Sequence, residues 1–162
     1  MSSYNRRFVL GLPLAVMACG FAPAYGPNGS ANGLRGAIRV ADGTDKLGFD
    51  LANRLKERLG AAQTDRFDLT YVIATSAVGI GITPDNAITR YNLNGSVDWT
   101  LTDRATATRV TGGRVENFTS WSATGSTVAG LAAEEDARLR LMRILADDIV
   151  ARLLATSGDW LK

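Results

Sequence analysis

The chain has 162 residues, no histidine and one cysteine. Those two shortages remove Ser-His-Asp and Cys-His catalysis, histidine metal sites and cysteine-based zinc sites together, because each needs side chains that are not there. No cofactor and no metal are expected. A lone cysteine forms no disulfide within the chain, so cysteine usage says nothing about compartment. Net charge is scarce as well, with 18 Lys and Arg against 16 Asp and Glu. Setting aside Arg6 and Arg7 in the N-terminal segment leaves sixteen of each sign. A neutral domain exerts no general pull on nucleic acid or on an anionic bilayer, so no nucleic-acid partner is expected and any binding of phosphates must be local. What is present is 46% hydrophobic, and a chain of this length builds one packed domain rather than two.

Residues 1–18 read as a secretory signal peptide: a short polar start, Arg6-Arg7, then an apolar run from Phe8 to Ala18. At roughly ten residues the run fits a signal core and falls short of the ~20 needed by a membrane-crossing helix. Its end, Val16-Met17-Ala18-Cys19, resembles a lipobox, in which lipid is attached to the cysteine sulfur before cleavage. The competing reading is plain cleavage at Ala18, leaving a free thiol. Arg6-Arg7-Phe8-Val9-Leu10 also resembles a twin-arginine signal, but any signal start is positively charged, so the export route stays open. Gly20 stands where an aspartate would hold a lipoprotein at the inner membrane, and this favours the outer membrane. Several acyl chains, at ~0.8 kcal/mol per buried methylene, would anchor the chain stably there.

Residues 19–35 are expected to form a lipidated start and flexible tether, since 27–36 is Pro-, Asn- and Gly-rich with little to bury. Order is expected from about Gly36, with one domain over 36–157 and a tail over 158–162. A short strand at Gly36–Val40 is followed by the turn Asp42-Gly43-Thr44-Asp45, which supplies a helix N-cap. Leu47, Leu51, Leu55 and Leu59 then recur every fourth residue, as in a helix packed on a sheet, and Gly60 is its stop. Phe67, Leu69, Tyr71 and Ile73 alternate with Asp68, Thr70, Val72 and Ala74, which gives a strand with one buried face. Gly79 to Asn86 reads as a strand end plus hairpin loop; its glycines are too irregular for a phosphate loop and no Gly-Lys-Ser/Thr follows.

Tyr91, Leu93, Val97, Trp99 and Leu101 take odd positions in the next strand, which extends over ~50 Å if straight, so it projects past the helices or bends at Gly95. Arg109 to Trp121 returns the chain, and the parity change between Val115 and Phe118 predicts a bulge. From Val128 to Leu154 the sequence predicts a long helix whose buried stripe is Leu131, Glu135, Leu139, Met142, Ala146, Ile149, Val150 and Leu153. Leu141 and Leu145 fall off that stripe and read either as ordinary surface leucines or as a secondary contact with another protein. Glu134-Glu135-Asp136 point in different directions on a helix and read as a solvated turn rather than a metal or acid-base site. The result is an α+β two-layer plan, β-α-β-β-β-α, with two helices on one face of a largely antiparallel sheet of about four strands.

The run Cys19-Gly20-Phe21-Ala22-Pro23-Ala24-Tyr25-Gly26 resembles the start of the lipopolysaccharide-assembly lipoprotein family LptE. Arg90-Tyr91-Asn92-Leu93, Leu101-Thr102-Asp103 and Ala132-Ala133-Glu134-Glu135-Asp136-Ala137 are similar to the alphaproteobacterial branch of it. Asn117-Phe118-Thr119-Ser120-Trp121 departs from the more regular segment of that branch. The resemblance implies a non-enzymatic, outer-membrane lipoprotein that sits on the periplasmic side, plugs an LptD-type β-barrel as a hetero-oligomer, helps it assemble and assists delivery of lipopolysaccharide.

Two other readings stand beside it: an auxiliary lipoprotein of a lipid-transport ABC system, and a histidine-free hydrolase. The latter is disfavoured because no Ser-x-x-Lys or Gly-x-Ser-x-Gly occurs. Lipopolysaccharide carries phosphates and carboxylates, which call for arginine. The candidates are Arg90 and Arg109, which bracket the long hairpin, with Arg104 at its turn and Arg114 on the returning strand. The competing reading is that they keep exposed strand positions soluble.

Overall fold

A computed structural model describes residues 29, 31 and 33–161. The signal segment, Cys19 and most of the expected tether lie outside the described residues. The elements run β1 (Ile38–Val40), α1 (Lys46–Leu59), β2 (Phe67–Ile82), β3 (Ile88–Asp103), β4 (Arg109–Ser122) and α2 (Thr127–Trp160). They form one four-stranded sheet in the order β1-β2-β3-β4. β1 runs parallel to β2 because α1 carries the chain back between them, and the other pairs are antiparallel. This is the α+β arrangement that the alternation of periods implies.

The two faces of the sheet follow from parity. Leu69, Val97, Leu101 and Val115 are odd-numbered, register with one another across the strands and are at most 1% exposed. Both helices lie on this face: the Tyr71 hydroxyl sits 3.0 Å from the Gly48 carbonyl of α1, and Thr119 Oγ1 donates to the Ala137 carbonyl of α2 at 2.9 Å. In α1, Asp45 caps the N-terminus by accepting from the Gly48 N–H at 2.7 Å, and Gly60 ends the helix at φ +81°. Leu51, Leu55 and Leu59 are buried as the four-residue spacing predicts, and Leu47 is half-buried. Each fully buried leucine contributes roughly 1.5–3 kcal/mol. Arg54 ties α1 to α2 with a double hydrogen bond to Asp147, at 3.1 and 2.9 Å.

Several expectations are corrected. The expected stripe of α2 is buried at Met142, Ala146, Ile149, Val150 and Leu153, but the buried face also takes in Leu141 and Leu145, both 0% exposed, whereas Leu139 is half-buried and Leu131 is 63% exposed. The cause is Gly95. A Cβ there would lie 2.7 Å from Leu141 Cδ2 and 3.1 Å from Leu145 Cδ1, so the missing side chain is the space the two leucines fill. Of the two alternatives for β3 the bend at Gly95 is absent, since Gly95 pairs in register with Thr75 and Asn117. There is no bulge between Val115 and Phe118; the β3–β4 register shifts instead between Leu101 and Thr102, and Phe118 is an aromatic on the open face, 61% exposed.

Packing also begins before Gly36. Ala31 and Leu34 are fully buried, and the Gly36 N–H donates to the Leu59 carbonyl at 2.9 Å, so this stretch closes the end of α1. At the other end α2 continues past Leu154 to Trp160, whose ring meets Phe67 edge-on at 5.5 Å.

Candidate functional site

Two surfaces are left once the helices have covered the odd-numbered face. The first is the open, even-numbered face of β3 and β4. Arg114 lies at its centre, with Asp98 at 3.0 Å, Glu116 at 2.6 Å and the Ser96 hydroxyl at 2.9 Å. The hydrogen bond to Glu116, with the charge of Asp98, holds its pKa above the ordinary guanidinium value. Thr75, Asn94, Ser96, Glu116 and Phe118 border a shallow hollow of about 540 Å³ beside it.

The four candidate arginines differ in what they have left to offer. Arg104 pairs with Asp65 at 3.3 Å and Asp68 at 3.4 Å, and Arg114 has the two acids just named, so both are neutralised by this chain's own carboxylates. Arg90 donates to the uncharged Ser120 hydroxyl at 2.9 Å and keeps its net charge. Arg109 has no side-chain partner among the described residues. Nor do the four form one cluster: Arg90 sits opposite Ser122 and Arg114 opposite Asp98, eight positions along β3 and so about 26 Å away. The acidic trio disperses too, with Glu134 on Arg138, Asp136 on Arg140 and Glu135 on Lys46. Among the described residues no three His, Cys, Asp or Glu side chains gather as a metal site would require.

The second surface is the far end of the β2–β3 hairpin. β1 pairs with β2 only at Phe67, Asp68 and Leu69, so from Thr70 to Ile82 the outer edge of β2 has no strand beside it. Val78, Ile80, Ile82 and Ile88 are 39–64% exposed there, and Val128 and Leu131 on the first turns of α2 are 77% and 63% exposed. A long apolar edge left unpaired is a pairing and docking surface. Sequence reasoning did not single these residues out. The available signal was a change of parity: apart from Val72, the apolar residues of β2 are odd-numbered from Phe67 to Ile73, and they are even-numbered at Val78, Ile80 and Ile82. No helix among the described residues is long and apolar enough to cross a membrane.

The LptE family, described as lipopolysaccharide-assembly, matches residues 36–153. No curated protein matches the chain. Among solved structures, a chain described as a lipoprotein from Caulobacter crescentus CB15 is similar at 21% identity, covering 83% of this chain and 99% of that one, with a TM-score of 0.66. The rare lipoprotein B of Shewanella oneidensis is similar at 14% identity, over 78% of this chain and 98% of that one, with a TM-score of 0.58. A minor lipoprotein of Acinetobacter baumannii follows at 17% identity, over 74% and 89%, with a TM-score of 0.52. At these identities the structural likeness establishes the fold.

Proposed function

The chain belongs to the LptE lipopolysaccharide-assembly family of outer-membrane lipoproteins, and from that premise we propose that it is a non-enzymatic plug and assembly partner of an LptD-type β-barrel. It is held on the periplasmic side of the outer membrane by lipid on Cys19 and assists the delivery of lipopolysaccharide into the barrel. The observation that carries this reading is the family match spanning nearly the whole folded domain. The tip of the hairpin supports it: its exposed apolar residues have nothing to cover them within the described chain and offer a surface for a protein partner.

Lipopolysaccharide contact is assigned to Arg90, Arg104, Arg109 and Arg114. Arg90 and Arg109 are the first to engage, because they give up no intramolecular carboxylate on binding. The test is native purification of the tagged chain from its own envelope. A stoichiometric β-barrel in the eluate, lost when Ile80 and Ile82 are both changed to Ser, is the expected result. Co-purification with the subunits of a lipid-transport ABC complex instead would replace this reading with the auxiliary-lipoprotein one. Cys19→Ala is expected to move the protein from the membrane fraction to the soluble periplasm when the barrel is absent; retention in the membrane would remove the anchor assignment.

A further inference from the structure

The two open edges of the sheet are defended differently. β4, at one side, carries Arg109, Arg114 and Glu116, and charges of this kind discourage the addition of another strand. β2 becomes the opposite edge where β1 ends, and over residues 70–82 it holds no charged residue and no proline. Its first irregularity is the register shift after Gly79. What remains, residues 72–78, is a regular, uncharged stretch with Val72 70% and Val78 50% exposed. An edge with no charge, proline or bulge is one that pairs.

The main chain there is oriented for pairing. The Phe67 N–H donates to the Ala37 carbonyl at 3.0 Å and the Ala41 N–H to the Leu69 carbonyl at 2.9 Å, so the odd-numbered residues of β2 turn their backbone groups toward the β1 side. The ladder with β3 runs without a shift from Phe67 to Gly79, and the alternation therefore continues beyond the end of β1. Ile73, Thr75 and Ala77 present their N–H and C=O groups to an edge with no strand beside it among the described residues.

The sequence of the stretch says what fits it. About Thr75 it is nearly symmetric: Val72 matches Val78, Ala74 matches Ser76, and Ile73 matches Ala77 in being apolar. We propose that a second copy of this chain pairs here, β2 against β2, antiparallel about a two-fold axis at Thr75, so that the two sheets join edge to edge. Val72 of each copy then faces Val78 of the other on the open face, above the small Ala74 and Ser76 side chains. Thr75 meets Thr75, a favourable cross-strand pair, and no like charges are opposed. Ile73, Thr75 and Ala77 exchange about six backbone hydrogen bonds with Ala77, Thr75 and Ile73 of the other copy. An unrelated strand draws nothing from the near-symmetry. The contact is isologous, so it closes at two copies, and the edges then left open are the charged β4 strands. It uses residues 72–78 and not Ile80 or Ile82, and it stands whether or not the barrel reading above does.

The test is sedimentation of the full chain in neutral detergent over a range of concentrations, where a reversible dimer is expected. Val72→Lys with Val78→Lys sets two ammonium pairs against each other across the axis and should weaken the dimer by about tenfold or more. Val72→Lys with Val78→Glu places opposite charges on the facing positions and should restore it, although within one chain the two sites are about 20 Å apart. Both positions are exposed, so the fold is not at stake. Cross-linking reads the register independently: facing hydrogen-bonded residues have Cα atoms about 5.5 Å apart, within reach of a disulfide. In a Cys19→Ala background, oxidation is expected to link Thr75→Cys chains into dimers and to leave Val78→Cys chains single. A monomer at every concentration, a dimer indifferent to the lysine pair, or linkage at Val78→Cys in place of Thr75→Cys overturns the proposal. Loss of barrel capture in Val72→Lys with Val78→Lys, with the mass of the free chain unmoved, also overturns it and gives the edge to the barrel. The sedimentation and cross-linking contain no barrel, so failure here and failure of the assembly role are separately visible.

Discussion

The two ends of the β2–β3 hairpin are made of the same kind of residue and meet opposite fates. At the base, Phe67, Leu69, Val97 and Leu101 are buried beneath α1 and α2, with β1 closing the edge of β2. At the tip, Val78, Ile80 and Ile82 continue the same strand with similar apolar side chains and remain about half exposed or more. Strand propensity is common to both, so propensity does not distinguish them; what differs is the face, since the base residues are on the odd-numbered side that the helices cover and Val78 and Ile82 on the open, even-numbered side. Stability resides in the base. The tip contributes little to folding and retains its apolar surface for another molecule.

If that division holds, Leu141→Ala or Ile149→Ala, each fully buried against the sheet, should cost about 2–5 kcal/mol in urea melts. A loss below about half a kcal/mol at either would mean the base is not where the energy lies. Gly95→Val tests the tight approach of α2 to β3 and is expected to cost about 1–3 kcal/mol, since the added atoms collide with buried Leu141 and Leu145.

Tyr71 marks the upper limit of the base, its hydroxyl placed between the Gly48 and Ala41 carbonyls at 3.0 and 3.2 Å. Tyr71→Phe should cost about 0.5–1.5 kcal/mol at neutral pH. Burial raises the phenol's pKa, with the charges of Asp42 and Asp45 adding to it. Its folded-state pKa lies above the unfolded one, so the stabilising contribution is complete below the ordinary tyrosine pKa of about 10 and is lost as pH climbs beyond it. The gap between wild type and Tyr71→Phe should accordingly narrow in alkaline melts; a gap that widens there would contradict the placement. At the tip, Ile80→Ser with Ile82→Ser should change stability by less than about 0.5 kcal/mol per site while abolishing partner capture.

Much of the fold was readable because periods of two and of about four residues are one-body signals: the leucine repeat of α1 and the odd-numbered set of β3 each carry their own evidence. The misreadings arise where a residue's environment is set by a second element. Leu141 and Leu145 read as surface leucines or a secondary contact, whereas both fill the space left by a glycine some 46 positions before Leu141 on another strand. Leu34, alone among polar neighbours, is lost in a composition average, although one leucine suffices to seal a helix end. The candidate arginines were legible as residue types, and their pairing with Asp65, Asp68, Asp98 and Glu116 was not.

The length of α2 has a mechanical consequence. Its 34 residues extend about 51 Å, close to the span of the sixteen-residue strands beside it, and it is clamped at the lower end by fully buried Ser157 and by Trp160 against Phe67. Helix and hairpin therefore behave as two beams bonded along their length, and bending one requires shearing the contact with the other. A load on one is therefore shared by the other, through Thr119, Leu141 and Leu145 where they meet.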